Sequence, residues 1–257
     1  MPADAQVHPS ALPERLLSLS IVSHQHGALV HDLLRDIARS CKGVEVLLTI
    51  NVPEPLPFEP DAFGFPVKVI VNGAPKGFGA NHNAAFRQSN GRYYCVLNPD
   101  IRFDLDPFPA LCRALDDDEH IGVAAPVVLS PAGEIEDSAR KFPTLPSVAR
   151  KAFARPQTPD YAIGDEAIAP DWVAGMFMLF RREVFERAGG FDERYFLYYE
   201  DVDLCRRLNR LGYPVRLVPA ARVMHDARRR SHGNVRHLLW HTASLLRYLS
   251  TRGAGDP

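Results

Sequence analysis

The feature that most constrains this 257-residue chain is a succession of short apolar runs in its first half, separated by helix-spaced or Pro-rich segments. Leu16–Val22, Val44–Ile50, Val67–Val71, Tyr93–Leu97 and Ile121–Ala125 read as strands. Several are apolar throughout instead of alternating, as in strands buried on both faces, so a mainly parallel sheet between helices is expected. Leu29, Leu33, Leu34, Ile37 and Ala38 recur at helical spacing after the first strand. Further helices are expected over 78–88 and from Pro107 to Leu115, the latter with proline in its first turn. The stretch 51–66 carries too many prolines for regular structure. In sheets of this kind ligands bind beyond the carboxyl ends of the strands, which directs attention to Ser23, Asn51, Asn72, Asn98 and Asp100.

Size and composition exclude several classes. A chain this long buries a full core without disulfides or structural metals. With 46% hydrophobic and 24% charged residues it is neither a disordered tail, a collagen-like repeat nor a coiled coil. Thirty basic against 31 acidic residues leave a net charge of −1, which gives no warrant for a nucleic-acid partner. Cys41, Cys95, Cys112 and Cys205 are widely spaced and form no CxxC pair, so reduced thiols and a cytoplasmic location are expected. The start has no secretory pattern, and the longest apolar stretch, Trp172 to Phe180, is far short of the roughly 20 residues of a spanning helix.

In the second half, residues 126–170 read as irregular, with low order near 155–168. A short helix to Glu186 and another from the acidic segment to about Leu211, stopped by Gly212, follow. The whole reads as one domain over 15–250, with a disordered start over 1–14 and a flexible tail over 251–257.

Four clusters carry candidate chemistry. Asn98-Pro99-Asp100 ends a strand. It is good turn chemistry, and its carboxylate beside a neutral amide also suits a hard divalent cation. Glu200, Asp201 and Asp203 open a helix. Asp203 reads as a cap that complements the helix dipole. Glu200 and Asp201 follow Tyr195, Phe196, Tyr198 and Tyr199, and a partly dry cleft there raises carboxyl pKa values toward those of a general base. His225 offers an imidazole to a metal held by Asp100, although a lone histidine is more often structural. Arg228, Arg229, Arg230 and Ser231 form either a diphosphate-binding loop or a solvated one. Gly77, Gly79, Asn81 and Asn83 open the helix after the third strand. They form neither a P-loop nor a GxGxxG fingerprint, which removes Walker-type hydrolysis and nicotinamide redox chemistry.

Taken in order, Gly77-Phe-Gly-Ala-Asn81-His-Asn83, Asn98-Pro-Asp100, Trp172-Val-Ala-Gly175, Gly190-Phe-Asp192 through Glu200-Asp201-Val-Asp203 to Arg207, and His225 resemble the family-two inverting glycosyltransferases. Within that family the chain looks most like the bacterial rhamnosyltransferase branch, over roughly residues 16–250. The resemblance implies a GT-A fold: a single Rossmann-like, mainly parallel sheet flanked by helices, with a small antiparallel element in the second half. Residues 15–125 would form the nucleotide-sugar half and 126–250 the acceptor half.

It further implies a dTDP- or UDP-sugar donor, rhamnose first among the sugars, and a Mg²⁺ or Mn²⁺ cofactor. The acceptor would be a hydroxyl of a glycan or polyprenyl-diphosphate-linked glycan in cell-surface polysaccharide synthesis. Asp100 falls on the metal-binding carboxylate, His225 on the second metal ligand and Asp201 on the base, with Glu200 beside it. Trp172, Gly175, Tyr199 and Glu200 fall in the acceptor pocket. Ser23, Asn51, Gly77, Gly79, Asn81, Asn83, Asn98 and Asp100 fall on the donor side.

Two positions depart from the family pattern. Asn98 stands where an acid is usual, and Asn51 replaces the acid that ends the second strand, which bears on nucleotide preference. Two rival readings stay open. One is a sugar- or nucleotide-binding module without turnover. The other is a sugar nucleotidyltransferase, for which Ser23-His-Gln-His-Gly27 lacks a Gly-rich basic loop.

Val235, Leu238, Leu239, Thr242, Leu245, Leu246 and Leu249 fall at helical spacing, and this last helix is expected to pack on the core. Seven arginines (Arg222, Arg228, Arg229, Arg230, Arg236, Arg247, Arg252) stand against the single acid Asp226 between 222 and 252. A peripheral contact with the inner face of the plasma membrane is therefore a further expectation.

Overall fold

A computed structural model describes residues 17–148, 159–226 and 235–251. The expected disordered start, the Arg228–Ser231 loop, most of the C-terminal tail and residues 155–158 lie outside the described residues.

The strands are β1 (Leu17–His24), β2 (Val44–Val52), β3 (Val67–Val71), β4 (Tyr93–Leu97), β5 (Ile101–Arg102), β6 (Val123–Leu129), β7 (Ala139–Arg140), β8 (Trp172–Val173), β9 (Phe177–Arg181) and β10 (Val215–His225). The helices are α1 (Gly27–Ser40), α2 (Phe78–Phe86), α3 (Phe108–Asp117), α4 (Arg182–Arg187), α5 (Glu200–Arg210) and α6 (Val235–Ser250). Eight strands form one sheet in the order β3-β2-β1-β4-β9-β6-β10-β5, and β7 pairs with β8 in a separate antiparallel ribbon. β3, β2, β1 and β4 run parallel, as do β6 and β10. This is the α/β architecture expected.

Period-two alternation sorts the side chains between two core layers. Leu17, Leu19 and Ile21 of β1 and Tyr93, Cys95 and Leu97 of β4 pack with Leu33, Leu34 and Ile37 of α1 and Leu111 of α3. Tyr94 and Val96 face the other way, toward Phe185 of α4 and Val202 and Leu208 of α5. Ser18 and Ser20 lie on that second face without exposure, because Ser18 donates to Glu45 at 2.7 Å and Ser20 Oγ lies 2.7 Å from His82 Nδ1. A buried hydroxyl with a partner avoids the cost of an unmet one. All four cysteines are free and buried.

Two features of the sheet bring the site together. β9 is inserted antiparallel between β4 and β6, pairing Leu97 with Phe177 and Val123 with Phe180. Its entry seats Met176 O on Asn98 N at 2.9 Å. β6 also continues through Pro126, inside the stretch expected to be irregular. Proline has no N–H for the ladder, and opposite it β10 breaks register between Val218 and Arg222 before pairing again with Val127–Leu129. Beyond that bulge β10 meets β5 with His225 opposite Ile101, next to Asp100.

Two expectations are corrected here. Asp203 is not a cap, since α5 has no side-chain cap bond. It is buried, and accepts from Arg206 at 3.1 Å and Arg207 at 2.8 Å. Arg206 in turn donates to Thr251 at 2.8 Å beyond the end of α6. The expectation for α6 is corrected only in part: it packs on the core through Tyr248 and Leu249, with Ser244 buried, but Val235, Leu238, Leu239 and Leu246 of the apolar stripe are 62–70% exposed. Among the described residues no helix is long and apolar enough to cross a membrane.

Removing the Asp203 carboxylate takes an ion-pair partner from the buried Arg206 guanidinium and from Arg207. Asp203→Ala is expected to cost about 3 kcal/mol of stability, read as a lower thermal midpoint, with Asp203→Glu recovering part of the loss.

Candidate functional site

The site lies along the carboxyl ends of β1, β2, β4 and β10. On the β1–β2 side, polar residues are spent on one another. Asn51 accepts from Asn72 at 2.9 Å and from Lys76 N at 2.8 Å, and donates to Lys76 O at 3.0 Å. Asn72 also donates to Asn81 at 2.7 Å, and Asn81 to Lys76 O at 3.2 Å. Three asparagines thus clamp the loop between β3 and α2. Asn83 donates to Phe191 O at 2.8 Å and accepts from Phe191 N at 2.9 Å, tying α2 to the 190–193 loop. Ser23 is buried and donates to Glu54, whose carboxylate also accepts from Gln25 N at 3.0 Å and Gly27 N at 2.8 Å.

These hydrogen bonds fix the loops that border the carboxyl ends of β1 and β2. Glu54, hidden in a Pro-rich loop, was not singled out by sequence. It sits where backbone N–H groups at the start of α1 draw a negative charge. Gly77 and Gly79 likewise serve packing. A Cβ on Gly77 would meet Phe196 O at 2.6 Å, and one on Gly79 would meet the Phe191 Cβ at 2.6 Å.

At the end of β4, the Asn98 side chain makes no hydrogen bond to any described residue. Asp100 Oδ2 lies 3.3 Å from His225 Nε2, and His225 Nδ1 lies 2.8 Å from Glu136 Oε2. Glu136 arrives because the chain after β6 doubles back, with Ile135 bridged to Leu129 and Glu136 N bonded to Val128 O at 2.8 Å. No sequence signal marked it. Hydrogen bonding to Asp100, helped by Glu136, pushes the His225 pKa up to about 9 against the pull of burial.

Asp100 Oδ1 is buried without a hydrogen-bond partner among the described residues. No set of three or more acidic, histidine or cysteine side chains converges as a metal cage among those residues. An orphaned carboxylate oxygen beside an imidazole nitrogen nevertheless fits a hard divalent cation that keeps waters and shares phosphate oxygens. The Glu136 bond to the far ring nitrogen is the support a ligating histidine requires.

The third part is the acid pair at the start of α5. Tyr198 and Tyr199 both take left-handed backbone, φ +70° and +67°, immediately before Glu200. Asp201 Oδ2 accepts from Gly175 N at 2.9 Å and Oδ1 from Val202 N at 2.8 Å. Burial raises the Asp201 pKa, while the two N–H groups and Arg140 oppose the rise. Glu200 is raised well above the ordinary value by burial and by the charge of Asp201, and its Oε2 is buried without a partner among the described residues.

Two carboxyls this close favour holding one proton between them. Trp172 is buried, donating to Lys141 O at 3.0 Å with Arg140 over its ring. Tyr199 is half-buried against His241 and Tyr248. Gly175 packs on Phe78 and holds Asp201 by its N–H.

Comparison with known proteins adds an independent line. A family model described as glycosyltransferase like family 2 matches residues 13–240. The chain is 28% identical over 252 residues to rhamnosyltransferase WbbL of Escherichia coli, covering 92% of this chain and 94% of that one. It is 31% identical over 213 residues to the N-acetylglucosaminyl-diphospho-decaprenol L-rhamnosyltransferase of Mycobacterium tuberculosis, covering 74% and 68%. Among solved structures it resembles GalNAc-T7 with UDP, GalNAc and Mn²⁺ (TM-score 0.66, 16% identity, 83% of this chain and 44% of that). It also resembles the mannosyltransferase PcManGT of Pyrobaculum calidifontis with GDP-Man and Mn²⁺ (TM-score 0.62, 15% identity, 94% and 65%). The chain thus spans less than two thirds of either solved chain, and likeness at these identities establishes the fold alone.

Gly77 is the contact through which α2 and the loop carrying the acid pair approach each other. Gly77→Ala must displace the backbone at Phe196, so a lower thermal midpoint by several degrees and a larger fractional loss of activity are expected. An unchanged midpoint in thermal unfolding contradicts this reading.

Proposed function

The chain belongs to glycosyltransferase family 2, and from that membership we propose that it transfers rhamnose from a dTDP- or UDP-linked donor. The acceptor in this reading is a hydroxyl of a lipid-diphosphate-linked glycan in cell-surface polysaccharide synthesis, with inversion at the sugar carbon. The fold is GT-A, and curated relatives include two rhamnosyltransferases, one of them named for an N-acetylglucosaminyl-diphospho-decaprenol substrate.

The observation that carries the mechanism is Asp201. Its carboxylate is half-buried and held in place by Gly175 N–H and Val202 N–H, so it meets an acceptor hydroxyl without first reorganising. Asp201 takes the hydroxyl proton as the oxygen attacks the sugar carbon from the face opposite the leaving diphosphate. Burial and the neighbouring charge of Asp201 raise the Glu200 pKa, which favours one negative charge shared over the pair. Tyr199 and Trp172 shape the acceptor side. Asp100 and His225 would hold a Mg²⁺ or Mn²⁺ ion, with Glu136 orienting the imidazole. Such an ion supplies neutralisation of charge developing on the diphosphate. Because His225 is protonated without it at neutral pH, ion and proton compete for the same nitrogen.

Replacing the base removes its function with little change of shape. Asp201→Asn is expected to lower the transfer rate by at least about a hundredfold while nucleotide binding by calorimetry survives. Substantial turnover in that variant removes Asp201 from the role. Since burial raises its pKa and only the ionised form accepts a proton, the rate is expected to fall as pH drops. That fall should lie above the range near 4 of a free carboxyl. Asp100→Ala is expected to lose the metal-dependent part of nucleotide affinity and keep the metal-free part. Unchanged affinity with metal present contradicts the assignment of Asp100.

A further inference from the structure

We propose that the outer face of α6 is a docking surface for an anionic lipid bilayer. At roughly 100° per residue, Val235, Leu238, Leu239, Thr242, Leu246 and Leu249 fall on one stripe about 100° wide. Val235, Leu238, Leu239 and Leu246 are 62–70% exposed, Leu249 at the C-terminal end of the stripe is partly buried against the core, and the inward-facing Ser244 and Tyr248 lie on the opposite side of the helix. The one polar group in the stripe is already spent, since the Thr242 hydroxyl donates to Leu238 O at 2.9 Å.

A soluble helix normally turns such a stripe inward. Here the inward side instead carries the 195–199 loop: Ser244 donates to Leu197 O at 2.8 Å, Tyr198 Oη lies 2.9 Å from His237 Nδ1, and Trp240 stacks on Phe196 at 4.7 Å.

Charge selects the occupant. Residues 235–251 contain Arg236 and Arg247 and no Asp or Glu. On the helical wheel both arginines fall along one flank of the stripe, next to Trp240, and Arg236 lies over the Trp240 ring at 5.2 Å. An apolar stripe with cationic and indole flanks is the composition of a helix that lies in the plane of an interface, its leucines among acyl chains and its arginines at anionic headgroups. Docked so, α6 holds the acid pair of α5 close to the headgroup layer, where a lipid-diphosphate acceptor resides. That consequence rests on the proposed transferase reading, whereas the docking itself does not.

The test is co-flotation of the full chain with phosphatidylglycerol-containing vesicles and with pure phosphatidylcholine vesicles, without donor or acceptor. Binding to the anionic vesicles, weakened by added salt, is expected. Leu238→Asp/Leu239→Asp/Leu246→Asp is expected to cut the bound fraction on the order of tenfold or more. Its thermal midpoint should be unchanged, because these side chains touch little. Arg236→Gln is expected to cut binding about fivefold and serves if the triple variant does not fold.

Absence of flotation with anionic vesicles overturns the proposal, as does flotation undiminished in both variants. So does light scattering that shows the stripe to be a contact between two copies without vesicle binding. A chain that floats and does not turn over contradicts the transferase reading alone. One that turns over a water-soluble acceptor and does not float contradicts the docking alone.

Discussion

Two consecutive tyrosines hold the left-handed backbone on which the rest of the site depends. Left-handed backbone costs a bulky residue on the order of 1–2 kcal/mol, so Tyr198 and Tyr199 keep it only because neighbours over-determine the loop. Phe78 N donates to Phe196 O at 2.9 Å from one side, and Ser244 holds Leu197 O from the other. His237 and His241 pack on Tyr198, and His241 and Tyr248 on Tyr199. The reversal these two residues make delivers Glu200 and Asp201 into the first turn of α5, facing Gly175. Strain of this kind concentrates where a side chain must be aimed, and here it aims the acid pair.

The two acid clusters use opposite electrostatics. At Asp201 a half-buried carboxylate is held by backbone N–H groups beside the Glu200 carboxyl, and burial raises its pKa. At Asp100 the carboxylate shares a histidine with Glu136, and the imidazole is held in its charged form at neutral pH. In the proposed reading, one cluster receives a proton from the acceptor and the other steadies the departing diphosphate.

Much of the fold was legible because it is local. The runs at Val67–Val71 and Tyr93–Leu97 are strands with those bounds, Gly212 does take positive φ at the end of α5, and the chain does form a mainly parallel sheet. What escaped was non-local. The insertion of β9 between β4 and β6 depends on pairing across some 80 residues of sequence, which periodicity does not report. The strand through Pro126 was hidden by a residue that normally ends strands, and it survives because β10 bulges opposite.

Within the site, Asn51, Asn81 and Asn83 were visible as polar residues at strand and helix ends, but a side chain's partners are set by tertiary structure. Sequence therefore located these residues, while the partners their amides hold are visible only in the structure. Helical spacing found α6 and its stripe, yet spacing does not say which face meets the core.

The central claim is that Asp201 drives a single displacement with no covalent intermediate. The most direct measurement is the anomeric configuration of the newly formed bond, read by NMR on the product of a nucleotide-sugar donor of known configuration. The account predicts inversion relative to the donor, and retention would contradict it.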